Sequence, residues 1–390
     1  MFKTKREPLF HLTKRTEVKK VYAWAIRIGA FVLSILVCAI VSAILTEKSM
    51  GFFFKYLIDG TFGNSKTTMV LFYETGVLLL VALAVTPCFK MRFWNIGGEG
   101  QILMGALGCG IIVYFMGGKY PDGLTIFVSL LLALVFSITW AAIPAIFKAK
   151  WNTNETLLTL MMNYIAICLV EFFIKSVIPT STGILMFDKG IITLSSVDMS
   201  YLLVVIIAII ITVLMWIYLK FSKHGYELTV VGESEKTSQY IGLNTKGVIV
   251  RTLVLCGFLC GTIGFLLVSS TNHALGSATV SGRGFTGVLV SWLAQFNPFA
   301  MALTSFLVVF IDKGASQVGN YARLGMSYPQ VMTGIFFFFI ISTEFFINYK
   351  IVFRSKKRLN TNNELGDFDK TVEVLVSTHS NDNTITKEEA

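Results

Sequence analysis

Long apolar runs dominate this sequence and restrict the folds that it can adopt. Only 14% of the residues are charged, whereas a typical soluble domain carries about 25%. Eight of the runs have about 20 residues, the length at which an α-helix crosses a membrane. They lie near 21–45, 70–89, 98–117, 123–147, 156–178, 200–221, 248–269 and 329–349. The sequence therefore predicts an all-α polytopic membrane protein.

Two shorter apolar runs, near 284–296 and 298–311, flank the dipeptide Asn297-Pro298. We interpret them as two tilted half-length helices or as a re-entrant hairpin, which gives about ten transmembrane helices, some of them short or broken. Most Lys and Arg residues adjoin span ends on the side of the N-terminus, so both termini are predicted to be cytoplasmic. Eight spans with re-entrant pieces are the alternative.

Polar segments divide the chain into three regions. Residues 1–20 form a basic cytoplasmic N-terminal segment, and residues 21–350 form the transmembrane domain. Within that domain, residues 221–247 are the largest polar island and are predicted to be a cytoplasmic loop. The polar tail 351–390 has too little apolar surface to fold alone and is predicted to be disordered.

The net charge of +10 does not indicate nucleic-acid binding. The basic residues stand at the ends of apolar runs, which is typical of topology signals and of contact with anionic lipids. The cysteines lack the spacing of a metal site, and we predict that they are small buried hydrophobic residues. They are Cys38, Cys88, Cys109, Cys168, Cys256 and Cys260.

The segment Asn95–Gln101 (Asn-Ile-Gly-Gly-Glu-Gly-Gln) interrupts two apolar runs. Backbone this irregular is tolerated at membrane depth only where it is buried in protein or lines a wet cavity. An acid such as Glu99 inside a membrane is by default a candidate functional residue. The segment therefore either lines a polar pathway, where its side chains would bind hydroxyls or a base edge, or packs two spans tightly.

A polar stripe follows the start of the run near 156–178. Asn154 can cap a helix here, and Glu155, Thr159 and Asn163 recur at every fourth position, on one face of that helix. Because capping alone does not explain Asn163, we predict that this face contacts another helix or lines a cavity.

Glycines mark two further sites. Gly257, Gly261 and Gly264 predict close packing of the span near 248–269. The segment 281–287 breaks the apolar pattern again, and its Arg283 either pairs with a buried acid or extends to an interface, which is the commoner outcome. With the break at 95–101, it raises the possibility of two repeated halves.

In four segments, in this order, the chain resembles the permease subunits of bacterial nucleoside and simple-sugar ABC importers, and the nucleoside branch fits better. The segments are Asn95–Gln101, Asn154–Ala166, Gly225–Glu233 with Tyr240–Asn244, and Gly284–Val290 with Asn297-Pro298. The resemblance implies a bacterial plasma-membrane subunit that carries no cofactor itself. Its partners would be an ATP-binding subunit that holds ATP and magnesium, a second permease in a heterodimer, and an extracytoplasmic substrate-binding lipoprotein.

The resemblance also assigns roles to residues. The loop 221–247 corresponds to the segment that couples the permease to the ATPase, although Lys236, Thr237 and Ser238 are more polar than is usual there. The residues expected at the coupling site are Gly232, Glu233, Ser238, Tyr240 and Gly242. Those expected along the substrate pathway or its supporting contacts are Asn95, Gly98, Glu99, Gln101, Glu155, Asn163 and Phe285.

Three functions follow as hypotheses. The first is inward transport of nucleosides by an ABC importer, and the second is transport of a simple sugar such as ribose by the same kind of machine. The third is a self-sufficient ion-coupled carrier whose intramembrane acids relay protons; the candidates are Glu74, Glu99, Glu171 and Glu344. We expect no enzyme activity: the segment Gly60–Thr67 approaches a phosphate-binding loop, but Ser65 replaces its second glycine.

Overall fold

The computed structural model describes residues 10–15, 20–179, 183–192, 197–325 and 327–353. These residues belong to two compact units. Helices α1 (Lys20–Thr46) and α13 (Ser327–Asn348) each run through both units.

The first unit takes in the described residues up to Ser34 and from Phe338 onward. Strands β1 (Phe10–Lys14) and β4 (Tyr349–Phe353) pair antiparallel in it, although the sequence predicted no strand. An ion pair of 2.9 Å joins Arg27 to Glu344. The tail predicted to be disordered lies, from residue 354 onward, outside the described residues.

The second unit, Ile35–Phe337, holds the remaining elements. Its helices are α2 (Met50–Phe62), α3 (Ser65–Lys90), α4 (Gly98–Met116), α5 (Asp122–Trp151), α6 (Glu155–Val177), α7 (Val197–Phe221), α8 (Lys223–Glu233), α9 (Glu235–Tyr240), α10 (Thr245–Leu266), α11 (Arg283–Leu293) and α12 (Pro298–Ala322). A π-helical turn, Leu267–Asn272, extends α10. Strands β2 (Ile184–Met186) and β3 (Ala274–Gly276) form an antiparallel pair.

Every apolar run that the sequence analysis identified is a helix, which confirms the all-α membrane architecture. In the described ranges, nine helices are long and apolar enough to cross a membrane. The helix α11 is short, as predicted, with 11 residues. The prediction of a second short helix at 298–311 is wrong, because α12 has 25 residues. The sequence run ends at Asp312 and Lys313, but these charges face polar neighbours inside the protein, so the helix continues.

Helix α2 was not predicted. It has 13 residues, too few to cross a membrane, and its apolar pattern is interrupted by Lys55 and Asp59. It is nevertheless anchored, since Phe53 and Leu57 are buried and the helix packs on α12.

Burial separates the central helices from the outer ones. In α10, α4 and α3, 78%, 72% and 67% of the spanning window is buried within this chain, whereas the values for α5 and α7 are 22% and 28%. The outer helices therefore leave apolar faces for lipid or for other subunits. Cys168 on α6 is one exposed residue of this kind, contrary to the prediction that all the cysteines are buried.

The glycines of α10 fit it closely between α4 and α5, as predicted. A Cβ at Gly257 would lie 2.8 Å from the Cβ of Ala141 on α5. On the opposite side, a Cβ at Gly264 would lie 2.6 Å from the backbone nitrogen of Ala106 on α4. Since real Cβ atoms do not approach so closely, a side chain at either position would push the helices apart.

Candidate functional site

The polar break between α3 and α4 is buried and internally bonded. Asn95 is fully buried, and its side-chain oxygen accepts from the backbone N–H of Gly97 at 3.0 Å and from the side-chain NH₂ of Gln101 at 3.3 Å. On α10, the Cys256 sulfur lies 3.3 Å from the Asn95 amide nitrogen and 3.2 Å from the Gln101 carbonyl oxygen. The break thus holds a neutral polar cluster of Asn95, Gln101 and Cys256, the Asn95 cluster, which joins α4 to α10.

Helix α6 bonds to the residues of the break from the other side. The side-chain oxygen of Asn163 accepts from the backbone N–H of Gly100 at 2.8 Å, and its side-chain NH₂ donates to the backbone carbonyl of Ile96 at 3.0 Å. The Thr159 hydroxyl accepts from the N–H of Ile96 at 3.3 Å. The predicted helix contact of this polar stripe is therefore confirmed for Thr159 and Asn163.

Glu155, the first residue of that stripe, has different partners from Thr159 and Asn163. It forms a 2.9 Å ion pair with Lys148 and lines a cavity of about 240 Å³ beside the α3–α4 connection and α8. Asn154 caps α6, since its side chain accepts from the N–H of Leu157. The stripe thus combines capping, an ion pair and helix contact at successive turns.

Glu99 joins the two glycine-rich breaks of the sequence. Its carboxylate accepts from the backbone N–H groups of Gly282 and Gly284, at 2.8 and 2.7 Å. These groups belong to the N-terminus of α11, which no side chain of its own caps. A carboxylate at a helix N-terminus satisfies free N–H groups and opposes the positive end of the helix dipole. Glu99 is therefore the cap of α11, supplied by α4.

A second acid, Glu74, holds α11 through the side chain of Arg283. Arg283 pairs with Glu74 on α3 at 2.7 Å, and Lys313 on α12 pairs with the other carboxylate oxygen at 2.9 Å. The more common outcome expected for Arg283, extension to an interface, is thus wrong. Glu74, which the sequence suggested only as a candidate proton-relay acid, is thus an ion-pair partner, and its separation in sequence from Lys313 hides the pairing.

Two further residues expected along the pathway differ in their surroundings. Gly98 is buried, and a Cβ there would lie 3.2 Å from the side chain of Val85. Phe285, on the first turn of α11, is 41% exposed and follows Gly284, whose N–H donates to Glu99. The structure thus brings Asn95, Gln101 and Asn163 together at the break. It places Gly98 and Glu99 against the N-terminus of α11, beside Phe285, and leaves Glu155 apart.

The polar island 221–247, which the sequence analysis treats as a loop, contains the helices α8 and α9. Gly232 fits against the backbone carbonyl of Lys90, with which any side chain would collide. Glu227 bonds Arg251 on α10, and this contact holds the pKa of Glu227 below its usual value. The island is therefore attached both to the α3–α4 connection and to α10.

The remaining residues of the expected coupling site divide into exposed and buried ones. Tyr240 is 91% exposed, and Gly242, with φ +79°, has open space around it. Ser238 is buried, and its hydroxyl donates to the carbonyl of Ser234 at 2.8 Å. Glu233 ends α8 and lines the cavity beside Glu155. The α9 end of the island thus offers an exposed aromatic residue on a backbone that is tied down internally.

Comparison with known proteins identifies the kind of molecule. The family model described as branched-chain amino acid transport system / permease component matches residues 67–342, which is more than half of the chain. The chain is 27% identical over 299 residues to the guanosine ABC transporter permease protein of Bacillus subtilis (strain 168), a match that covers 74% of this chain and 84% of that one. The resemblance to nucleoside and sugar permeases is thereby confirmed.

Other relatives carry different substrates in their names. The nucleoside ABC transporter permease protein of Lactococcus lactis subsp. cremoris is 26% identical, with 73% of this chain and 81% of that protein covered. For the glucose ABC transporter permease protein of Haloferax volcanii, the identity is 24% and the coverages are 73% and 78%. A solved structure, PsaBC from Streptococcus pneumoniae in complex with Fab, matches with a TM-score of 0.43 and 13% identity, over 73% of this chain and 94% of that chain.

Proposed function

We propose that this chain, which belongs to the branched-chain amino acid transport system / permease component family, is the transmembrane permease subunit of an ABC importer that moves nucleosides inward. Two relatives are named for guanosine and for nucleosides. The buried amides, hydroxyl and thiol around Asn95 bond one another and hold the break of α4 in place inside the membrane.

One observation carries the proposal: the continuous contact from the polar island to the breaks inside the membrane. Gly232 of α8 touches the backbone at Lys90, the connection from there leads to Glu99, and Glu99 caps α11. Movement of α8 and α9 by a partner ATPase would therefore displace the cap of the short helix. We infer that ATP hydrolysis on that partner drives alternating access in this way.

The geometry suggests separate duties for the pathway residues. Asn95, Gln101 and Asn163 already bond to the chain itself, so we assign them to support of the α4 break. Glu99 would transmit movement to α11, and the exposed ring of Phe285 is available to stack on a nucleobase. Tyr240 and Gly242 would meet the ATPase on the cytoplasmic side, with both chain termini also cytoplasmic.

A simple-sugar importer is the second candidate, because one relative is named for glucose. The ion-coupled carrier has less support, since Glu74, Glu99 and Glu344 all have partners in the structure. A proton relay requires acids that can exchange protons along a chain of free groups.

The test begins with gentle solubilisation of native membranes and mass spectrometry of the proteins that co-purify with this chain. We expect an ATPase, a second permease and a substrate-binding lipoprotein. The purified assembly is then placed in proteoliposomes, and ATP-dependent uptake of labelled guanosine is measured in competition with nucleosides, ribose and glucose. Competition by the sugars alone would favour the sugar importer, and uptake by the isolated chain without ATP would favour the carrier.

A further inference from the structure

A polar cavity of about 550 Å³ opens beside α11, and its lining does not include Asn95 or Gln101. Its walls come from α3, α11, α12 and α13. The volume lies within the range of about 300–1,000 Å³ that is typical of sites for small ligands. The cavity thus has room for one small solute, and its lining indicates which chemistry that solute would have.

The charged groups of the lining balance one another. Glu74 and Asp312 are acidic, and Arg283 and Lys313 are basic. Each carboxylate oxygen of Glu74 is occupied by one of the two cations. Within the described part of the chain, Asp312 joins none of the ion pairs. The four charges sum to zero, and the Asp312 carboxylate, which forms none of these ion pairs, is a hydrogen-bond acceptor in the lining.

Hydroxyl groups share the cavity lining with that acceptor. Thr333 on α13 lies next to Asp312, and its buried hydroxyl has no well-formed hydrogen bond among the described residues. Ser316, Thr286 and Gln330 add hydroxyl and amide groups, and Leu289 and Phe337 add apolar wall. A ligand that both donates and accepts hydrogen bonds, without net charge, matches this lining.

We propose that this cavity is a binding site for the sugar part of the transported solute, with Asp312 accepting from two neighbouring hydroxyls of a ribonucleoside. An ionised carboxylate can accept from two donors at once, which fits the 2′ and 3′ hydroxyls of ribose. The proposal rests on the proposed function, because it takes a nucleoside as the solute, and it adds a specificity-determining residue that the sequence motifs do not include.

The test compares Asp312→Asn with the wild-type assembly, reconstituted with its ATPase, second permease and binding lipoprotein. The probes are guanosine and 2′,3′-dideoxyguanosine. The readout is kcat/KM for uptake of guanosine divided by kcat/KM for uptake of 2′,3′-dideoxyguanosine. The lipoprotein is the same in both assemblies, so its own preference cancels when the ratios are compared. We expect the ratio to fall about tenfold, since an amide loses one charged acceptor. Equal losses for both probes, or no change, would overturn the proposal.

A second pair of variants tests the cavity without removing a charge. A Cβ at Gly334, on the cavity wall, meets nothing within 4 Å, and the same holds at Gly123 on the remote first turn of α5. Gly334→Leu should fill the cavity and lower guanosine uptake about tenfold or more, whereas Gly123→Leu should not.

Equal uptake by the Gly334→Leu and Gly123→Leu variants would overturn the cavity site, even if Asp312→Asn failed to assemble. Charge-matched Asp59→Asn, on α2 and outside the cavity, controls for the loss of one acid. If the wild-type assembly took up no guanosine, the proposed function itself would fail, and the cavity proposal with it.

Discussion

Two carboxylates hold the short helix α11, and they do so with different chemistry. At the break of α4, Glu99 accepts from two backbone N–H groups, which are neutral donors. At the cavity, Glu74 pairs with the full charges of Arg283 and Lys313. Removal of the first acid leaves unpaired dipoles, whereas removal of the second leaves unpaired cations inside a membrane. The comparison shows that the partner determines what an intramembrane acid contributes.

The largest expected effect is that of Glu74→Gln. Its side chain is 12% exposed, and loss of one partner from a buried ion pair costs about 3–5 kcal/mol because the other charge remains uncompensated. We expect a marked fall in the unfolding temperature of the detergent-solubilised protein. The double variant Glu74→Gln, Lys313→Met should recover part of it. An unchanged unfolding temperature for the single variant would mean that water already solvates the two cations.

The next largest effect on stability is expected at the Asn95 cluster, where Asn163 binds. Asn163→Ala would leave the N–H of Gly100 and the carbonyl of Ile96 without their partners, at a cost of about 1–3 kcal/mol for each buried group that water cannot reach. The same measurement of unfolding temperature applies. An unchanged unfolding temperature would contradict a stabilising role for these two hydrogen bonds.

Glu99→Gln should have a smaller effect on stability and a clear one on transport. The amide keeps one acceptor, so one of the two N–H groups on α11 loses its partner, at about 1–2 kcal/mol. We expect the variant to assemble with its partners and to import guanosine more slowly. Uptake kinetics identical to the wild type would contradict a role for Glu99 in moving α11.

The smallest effect concerns Glu227 on α8, a residue outside the spans, which binds Arg251 near the start of α10. Its pKa is lowered by that contact, so the bond stabilises α8 above the usual carboxylate pKa of about 4.3 and is lost as the pH falls through the lower folded value. Glu227→Gln should cost about 1 kcal/mol at pH 7, since Arg251 is partly exposed. Unfolding temperatures of the two proteins, measured from pH 7 downward, should converge in acid.

The positions of the helices could be predicted because lipid imposes a length and an apolar composition on each span. The exceptions have physical reasons. Helix α2 is too short for that rule, and α12 continues through Asp312 and Lys313 because these residues face a polar cavity. The strand pair β1–β4 joins segments more than 330 residues apart, for which local patterns carry no signal.

The candidate site was only partly predictable. Asn95, Glu99, Gln101 and Asn163 could be selected because a polar residue in an apolar run requires a reason. Their partners could not be selected, since Cys256 and Gly282 are ordinary residues of other segments until the fold brings them close. The same limit hid the pairing of Glu74 with Lys313 and the cavity around Asp312.

The cap of α11 also has a consequence for how the chain is made. Asn95 and Gln101 can bond each other as soon as α4 leaves the ribosome, because only six residues separate them. Glu99 must wait for partners that are synthesised 183 and 185 residues later. Until then its carboxylate stays at the start of α4, where it can remain near the water interface. Biosynthesis therefore completes this junction long after the pair of Asn95 and Gln101, and any truncation before residue 282 leaves Glu99 without the helix that it caps.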